Sequence, residues 1–332
     1  MTKLVEPVPA PTLSDVAALA GVSRAIASRA LSAEPRPVSA DKRERVLRAA
    51  GQLGFHPNSL ARGLASKTVN LVAILVNHIH DLSDLDLFDL LLAQIQAIGK
   101  QVIFIRVGAG DDAGTFLRDG VAYHVDAALV FADFADAASV RRMFRNNAVL
   151  MLNGQREPGA ASVTMDEDHG IGEAVADAAG KGVRRALLVT GRTMSLVEQA
   201  RIASYRAALE RHGITLLGEL AGDYSYASGR ALAGRIDVDA TGAVFCTSDA
   251  MAMGVLDAHR RHFPDHRPQR FRLYGFDNVS LTQFDAYPIS SIGADKRDYV
   301  AQIVRLLGQH AGLAGNSEQV LVATRFVPRL TG

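Results

Sequence analysis

The chain has 332 residues, of which 48% are hydrophobic and 21% charged, and its formal net charge at pH 7 is +1. These values are typical of a globular protein of two or three domains, and they exclude collagen-like and disordered classes. Apolar runs such as LVAILV (71–76) have the length of strands, so no membrane-spanning helix is expected. The start, MTKLVEPVPAP, lacks the apolar core of a secretory signal, and the single cysteine, Cys246, is expected to be buried. Both features favour the cytoplasm.

The charge is distributed unevenly along the chain. Lysine and arginine outnumber aspartate and glutamate by 10 to 5 in residues 1–67, whereas the remainder holds 26 basic and 30 acidic residues. A basic segment before a slightly acidic body is typical of a nucleic-acid-binding head on a ligand-binding or enzymatic body. A basic solvated surface would give the same imbalance, so the charge pattern alone does not establish nucleic-acid binding.

The stretch TLSDVAALAGVSRAIASRAL (12–31) contains two helical patterns separated by Gly21. Thr12 and Asp15 are spaced for a capping box at the start of the first helix, and Ser23 can cap the second. The apolar stripes predict that the two helices cross around Ala17, Val22 and Ile26. This is the spacing of a helix-turn-helix unit.

Two further helices are predicted before the body begins. Ser39 can cap a third helix that Gly54 ends. In FHPNSLARGLASKT (55–68), Asn58 can cap a short fourth helix, which Gly63 weakens by ~1 kcal/mol relative to alanine. So short a helix is expected to fold only with a partner.

From Val69 onwards, strand-length apolar runs alternate with amphipathic helical stretches. This alternation predicts an α/β fold in which helices cover both faces of parallel sheets. About 260 residues of it exceed what one sheet usually needs, so we expect two similar lobes.

Several motifs together resemble the lactose-repressor (LacI/GalR) family of bacterial transcription regulators. They are TLSDVAALAGVS, SRAL, VSADKRERV and LGFHPNSLARGL, followed downstream by SDAMAMG, GFDN and YPISSI. The resemblance implies an N-terminal all-α helix-turn-helix head and a two-lobed periplasmic-binding-protein-like body with parallel sheets. The implied divisions are a flexible N-terminus (1–11), the head (12–56), a hinge helix and linker (57–68) and the body (69–332). Within the body, the first lobe spans about 69–168 plus 295–322, and the second about 169–294 plus the C-terminal end.

The resemblance also places DNA contacts on the second helix. Arg24 and Ala25 match the positions that face base edges, and Arg29 is a further base or phosphate contact. An arginine there can reach a guanine bidentately, whereas alanine can touch only a thymine methyl. The remaining DNA-binding candidates of the head are hydroxyl residues, with the serines assigned to phosphates: Thr12, Ser23 and Ser28.

In the family, paired hinge helices enter the minor groove at the operator centre. Leu64 matches the leucine that wedges between base pairs, and Asn58 and Ala61 lie beside it. The chain departs from the family at Ile26, where threonine is usual, and in a longer loop, AEPRPV (33–38).

Effector-binding residues follow from the same resemblance. Arg201, Tyr224 and Asp277 are expected in the cleft between the lobes, where an arginine, a carboxylate and a ring can hold a sugar or a flat base. Asp166 and Asp249 are further candidates, for which a helix cap or an inter-lobe contact is an equal alternative.

Two histidine-rich segments raise the possibility of a metal site, NHIHDLSDLDLF (77–88) and HRRHFPDHR (259–267). Neither has the ligand spacing of a known metal site, so both are interpreted as solvated loops, and no metal or cofactor is expected. The glycines of GAGDDAG (108–114) lack the lysine and helix of a phosphate loop and indicate a turn.

The sequence therefore predicts a cytoplasmic, homodimeric transcription regulator, a repressor that binds double-stranded DNA at a palindromic operator. A small effector, a sugar or related metabolite, would control it allosterically. The alternatives are a cytoplasmic sugar-binding receptor with a non-specific basic head, and an α/β enzyme, for which no nucleophile elbow, metal motif or phosphate loop is found. The sequence leaves open the effector's identity, whether it induces or co-represses, and the regulated genes.

Overall fold

The computed structural model describes residues 11–32, 37–55, 69–79, 81–107, 124–133, 135–154, 157–308 and 317–332. The chain forms two compact units, Met1–Val69 and Asn70–Gly332, called here the head and the body. No helix within the described ranges is long and apolar enough to cross a membrane.

Three helices form the described part of the head: α1 (Leu13–Leu19), α2 (Arg24–Ala30) and α3 (Ala40–Leu53). The predicted capping box is confirmed, because the Asp15 amide donates to Thr12 Oγ1 over 3.3 Å and the Thr12 amide donates to Asp15 Oδ2 over 2.8 Å. Gly54 ends α3 in the left-handed conformation at φ +62°, as predicted. Ser39 precedes α3 but makes no side-chain capping bond, so backbone geometry starts this helix.

A small apolar core holds the head together. Ala27 is fully buried between the helices, whereas Ile26 is only half-buried. The centre of the helix packing is therefore Ala27 and not, as predicted, Ile26. The buried core residues come from all three helices: Val16, Ala17, Ala20, Ala27, Ala30, Val46, Ala49 and Ala50. Because most of them are alanines, the helices can pack closely.

The body alternates strands and helices. In chain order its first elements are β1 (Leu71–Val76), α4 (Leu82–Ala97), β2 (Gln101–Arg106), β3 (Ala127–Val130), α5 (Ala137–Phe144), β4 (Val149–Met151), β5 (Ala161–Asp166), α6 (Glu167–Gly180), β6 (Arg185–Thr190) and α7 (Leu196–Arg211). They are followed by β7 (Thr215–Ala221), α8 (Tyr226–Leu232), β8 (Ala243–Cys246), α9 (Asp249–Ala258), β9 (Arg272–Phe276), β10 (Ser290–Ala294), α10 (Lys296–Gly308) and β11 (Gln319–Val327). Short 3-10 turns lie at Ala233–Arg235, Arg260–His262, Pro264–His266 and Ser280–Gln283.

The described strands form one sheet in the order β2-β1-β3-β4-β5-β11-β10-β9-β8-β6-β7. The strands from β2 to β5 belong to a first lobe and those from β10 to β7 to a second. Strand β11 joins the two lobes, since Gln319–Ala323 pair in parallel with β5 and Thr324–Val327 pair antiparallel with β10. Among the described strands, only β10 and β11 pair antiparallel. The strands of each lobe run towards the cleft, so a strand that passes from the first lobe into the second must run opposite to the strands of the second lobe.

The chain crosses between the lobes at three places. It passes from β5 into α6 at Asp166 and Glu167, returns from β10 into α10 around Asp295, and crosses again within β11 between Ala323 and Thr324.

Each lobe has an apolar layer on both faces of its sheet. In the first lobe, α4 and α10 pack on one face and α5 on the other. In the second, α6 and α7 cover one face and α9 the other. Strands β3 and β8 are buried throughout, which explains why their sequences are continuous apolar runs. Cys246 is free and buried, as predicted.

Candidate functional site

The main candidate site is the cleft between the two lobes. In the first lobe the strand order changes direction at β1, and Asn77 and Phe131 follow the carboxyl ends of β1 and β3. In the second lobe it changes at β6, and Arg192 and Ser248 follow the ends of β6 and β8. All four residues line one cavity. Such switch points are where open α/β sheets bind ligands.

The cleft contains two adjoining cavities, one of about 540 Å³ and one of about 210 Å³. The larger lies beside the crossings between the lobes, and the smaller lies beside the switch points. They share seven lining residues and are therefore parts of one site: Ser83, Asp84, Phe131, Leu152, Val197, Arg201 and Asp277.

Arg201 lies on α7, lines both cavities and is almost fully buried. Its guanidinium makes two hydrogen bonds to Glu167, of 2.7 and 2.9 Å, and one of 2.9 Å to the Thr247 carbonyl. Its Cζ atom lies 3.8 Å from the centre of the Phe276 ring. Although burial opposes its charge, the carboxylates of Glu167 and Glu198 keep the pKa of Arg201 well above its usual value.

Tyr224 also lies in the cleft, and a buried carboxylate fixes its position. Glu198 accepts hydrogen bonds from the Tyr224 hydroxyl at 2.8 Å, the Thr247 hydroxyl at 2.7 Å and the Gly191 amide at 2.5 Å. A Cβ atom on Gly191 would lie 1.9 Å from the Tyr224 ring, so only glycine leaves room for it. Tyr224 itself has a φ of +72°, a conformation rare for a residue with a side chain.

Asp277 lines both cavities on a strained turn after β9. The turn has two successive positive φ values, +96° at Asp277 and +45° at Asn278. The Lys296 ammonium donates to the carbonyl oxygens of both residues, at 3.0 and 2.9 Å, and so holds the turn. Burial and the charges of Glu167 and Asp81 outweigh Arg201 and Lys296 and raise the pKa of Asp277 to about 6. Strain that surrounding bonds maintain in this way is typical of functional sites.

Several polar contacts span the cleft between the lobes. Arg192 of the second lobe donates to both carboxylate oxygens of Asp81, at 3.1 and 3.2 Å, and lies over the Tyr224 ring. The Ser195 hydroxyl donates to Asp133 at 3.4 Å. Burial opposes ionisation of Asp81, but hydrogen bonds from His78 and Arg192 lower its pKa to about 2.

A third contact joins α4 to the turn after β9. The backbone amide of Ser280 donates to Asp86 Oδ2 at 2.7 Å, and the Lys296 ammonium lies 3.5 Å from the same carboxylate. First-lobe aspartates therefore make the described polar contacts between the lobes, namely Asp81, Asp86 and Asp133.

The two weaker effector candidates lie in different surroundings. Asp166 is half-buried at the first crossing and lines the larger cavity, and it starts α6 without a side-chain capping bond. Asp249 is fully buried inside the second lobe, where it accepts from the Val279 amide at 2.8 Å and the Ser291 hydroxyl at 2.6 Å. Asp249 does not line either of the two cavities of the cleft.

The described histidines of the two histidine-rich segments contact neighbouring residues of the fold. His78 lies 3.2 Å from Asp81 at the edge of the smaller cavity, and His259 bonds the Ala233 carbonyl at 2.9 Å. Arg260 contacts His266 at 2.6 Å. Within the described ranges, no cluster of histidine, cysteine, aspartate or glutamate could hold a metal ion. Residue 80 and the segment 108–114 lie outside those ranges.

The second candidate site is the surface of α2 in the head. Five DNA-binding candidates form one exposed stretch: Ser23, Arg24, Ala25, Ser28 and Arg29. The charges of α3 are partly neutralised on that helix, since Arg45 pairs with Asp41 and Arg48 with Glu44.

Arg24 and Arg29 make no ion pair with any described residue. They therefore offer unneutralised positive charge on an exposed helix. Thr12 is exposed at the start of α1, and its hydroxyl is used in the capping box. The hinge candidates Asn58, Ala61 and Leu64 lie outside the described residues.

Sequence reasoning missed the residues that hold the candidate ligand groups in place. Glu198 could have been found, because it precedes Arg201 by three residues and so shares its helix face. The contact between Asp81 and Arg192 joins residues 111 positions apart and left no local signal.

Comparison with known proteins identifies the family. Residues 12–58 match the model of bacterial regulatory proteins of the lacI family, and residues 175–331 match that of a periplasmic binding protein-like domain. The transcriptional repressor CytR of Escherichia coli K12 is 27% identical over 320 residues, which cover 91% of this chain and 92% of CytR. The chain belongs to the LacI family of bacterial regulatory proteins. It is a DNA-binding transcription regulator and not an enzyme, as its sequence predicts.

Other members and solved structures agree with this assignment. The HTH-type transcriptional regulator CelR of Thermobifida fusca is 29% identical over 317 residues, which cover 90% of this chain and 91% of CelR. A crystal structure of the lac repressor dimer bound to operator and the anti-inducer ONPF superposes with a TM-score of 0.85 at 23% identity. It covers 98% of this chain and 99% of that one. The CelR–cellobiose complex gives a TM-score of 0.69 at 23% identity and covers 97% and 100%. These likenesses confirm the predicted fold class.

Proposed function

We propose that this LacI-family regulator is a homodimeric repressor that binds a palindromic operator and responds to a small effector in the cleft. The observation that supports it most directly is the pairing, in one chain, of an exposed, unneutralised α2 with a two-lobed body whose cleft displays strained polar residues. A DNA-binding helix alone needs no such cleft. Because its target is chromosomal DNA, the protein would act in the cytoplasm.

On the DNA, α2 would lie in the major groove. Arg24 is exposed at the first position of the helix, where its fork can reach the O6 and N7 atoms of a guanine. Ala25 beside it offers a methyl contact, and Arg29, one turn on, offers a phosphate or base contact. Ser23, Ser28 and Thr12 would contact phosphates. The exposed hydroxyl of Thr12 donates to Asp15 within the cap, so it would have to leave that bond to donate to a phosphate.

The hinge residues Asn58, Ala61 and Leu64 would contact the minor groove at the operator centre, with Leu64 as the apolar wedge. An inserted wedge unstacks a base step and bends the duplex, at a cost of a few kcal/mol that added contacts repay.

In the body, Arg201, Tyr224 and Asp277 would line the effector site, with Asp166 at its edge and Asp249 as a buried support. The cleft volume of about 540 Å³ is within the range of small-molecule sites. The effector is a sugar or related metabolite. The solved CelR complex contains cellobiose, which supports this class.

Control would work through the angle between the lobes. A ligand that favours one inter-lobe angle shifts the population towards it, and the first lobe directly follows the 57–68 segment in the chain. Movement of paired first lobes in a dimer would then bring two hinge segments together or apart.

Selection of genomic fragments by the purified protein at fixed moderate salt tests the proposal. Enrichment of an inverted repeat with a deformable centre is expected, and genes beside it would nominate effectors. Binding that depends on salt but not on sequence, with or without candidate sugars, would contradict it. That result would favour the second candidate, a cytoplasmic sugar-binding receptor or sensor with a non-specific basic head.

A further inference from the structure

The larger cavity of the cleft is lined by more acidic than basic side chains. Among the residues that the structure describes, its charged lining consists of five acids and two bases: Asp84, Asp166, Glu167, Asp168, Asp277, Arg201 and Lys296. A ligand that enters the cavity therefore meets a negative potential.

Both cations of the cavity are already engaged by the protein. Arg201 donates twice to Glu167 and once to the Thr247 carbonyl. The Lys296 ammonium donates to the carbonyl oxygens of Asp277 and Asn278 and lies 3.5 Å from a carboxylate of the first lobe. These bonds use three of the five N–H donors of Arg201 and two of the three of Lys296, so a phosphate or carboxylate on a ligand would compete with the protein's own acceptors for both cations.

The acids are not all engaged. The carboxylates of Asp166 and Asp277 accept no hydrogen bond and make no ion pair with any described residue. Asp277 is half-buried, and burial is the largest cause that raises its pKa. A partly buried carboxylate without a partner is costly, so a ligand that supplies a charged donor is stabilised there.

The rest of the cavity wall is apolar. Leu87, Phe131 and Leu152 line it from the first lobe, and Phe276 from the second. An apolar wall lowers the local dielectric, which strengthens an ion pair formed beside it. The wall also matches the carbon face of a ring.

We propose that the effector carries a protonated amine, which Asp277 and Asp166 hold, on a sugar or carbon skeleton that packs against the apolar wall. This inference rests on the proposed role of the cleft as the effector site. An anionic metabolite would add to the excess of negative charge among the described lining residues, and a neutral sugar would leave that charge uncompensated.

Two matched sets of probes test the charge preference on the full-length protein. Glucosamine, glucose and glucuronate differ in charge on a sugar skeleton, and phenethylamine, phenethyl alcohol and phenylacetate differ in charge on an aromatic one. We expect an amine to bind at least about tenfold tighter than the neutral member of its set by ligand-observed NMR titration, the size of one partly buried ion pair. Equal or tighter binding of the neutral or anionic member, or no binding of either amine at about 10 mM, would overturn the inference.

Variants connect the preference to the two carboxylates. Asp277→Asn removes the charge while asparagine tolerates the positive φ, so the fold is retained and the amine preference is lost. Asp166→Asn should reduce the preference for the amine. As a control, Asp298→Asn removes a negative charge from the exposed first turn of α10 and should leave the preference for the amine unchanged. An amine preference that survives Asp277→Asn with Asp166→Asn would contradict the assignment.

The genomic selection separates the two proposals. An enriched inverted repeat without an amine preference in the cleft refutes only the effector chemistry. Sequence-independent DNA binding together with an amine preference refutes the repressor and leaves the cleft as a binding site for amines.

Discussion

The exposed face of α2 and the cleft of the body present their candidate residues in opposite ways. On α2, Arg24 and Arg29 are exposed and form no ion pair with described residues, so their side chains are free to reach DNA. In the cleft, Arg201 and Tyr224 are tied to a buried carboxylate, and two of the candidates lie on strained backbone. A substitution on the exposed face of α2 should therefore change DNA binding alone, whereas one in the cleft should change stability as well.

The largest effect is expected for Glu198→Ala. Glu198 is fully buried, and its loss leaves the hydroxyls of Tyr224 and Thr247 without their acceptor and removes a carboxylate that lies 3.8 Å from Arg201. The free energy of unfolding should fall by about 3–5 kcal/mol. Urea unfolding of the full chain measures it. Glu210→Ala, at an exposed position of the same helix, should change it by less than about 0.5 kcal/mol. Similar decreases in the free energy of unfolding for the two variants would contradict the role of Glu198 in holding the cleft residues.

Arg24→Ala should weaken operator binding by about 1–3 kcal/mol and relax the preference at one base pair of each half-site. Its free energy of unfolding should stay unchanged, since the side chain makes no ion pair with described residues. Fluorescence anisotropy on the selected operator and its base-substituted forms measures this. Arg48→Ala, which removes a paired arginine of α3, serves as the control. An equal loss of affinity for the operator and for all of its base-substituted forms would show that Arg24 contacts phosphates and no base.

Asp81→Asn tests the contacts between the lobes through their pH dependence. Because the folded pKa is lowered from 3.8 to about 2, the pair with Arg192 stabilises the fold above the unfolded value and is lost as the pH falls through the folded one. The variant should be less stable by about 1–2 kcal/mol near neutral pH, with the difference shrinking between about pH 4 and about pH 2. Urea midpoints over this range give the result. A difference that did not depend on pH would refute the role of the charge.

The smallest effect is expected in the head. Thr12→Ala removes the capping box and should destabilise α1 by about 1 kcal/mol. Ser39→Ala should have less effect on α3, because Ser39 makes no side-chain capping bond. Amide hydrogen exchange of the two helices in the full chain compares them. If the two variants have equal effects, the capping box does not stabilise α1.

The fold of the head could be predicted closely because its determinants are local. The capping box joins residues three apart, and the glycine that ends α3 lies directly after it. Two details of the head were predicted wrongly. The tight packing of alanines brings Ala27 and not Ile26 to the centre of the core, and Ser39 makes no side-chain capping bond to α3.

The cleft could be predicted in part. Family motifs indicated Arg201, Tyr224 and Asp277, and the structure places all three along the cavities. The buried position of Asp249 and the contact of Asp81 with Arg192 depend on how distant strands and helices come together. No periodicity or local spacing in the sequence contains that information.

The crossings between the lobes have a consequence for how the protein is made. The head is complete once its own short segment has left the ribosome, and its core uses no residue from further along. Neither lobe is complete until β11 is made, because this strand pairs with β5 of the first lobe and with β10 of the second. Since domains fold as units during synthesis, the DNA-binding part of a nascent chain can fold long before either lobe is finished. Each new molecule therefore acquires its DNA-binding surface before the cleft that would regulate it.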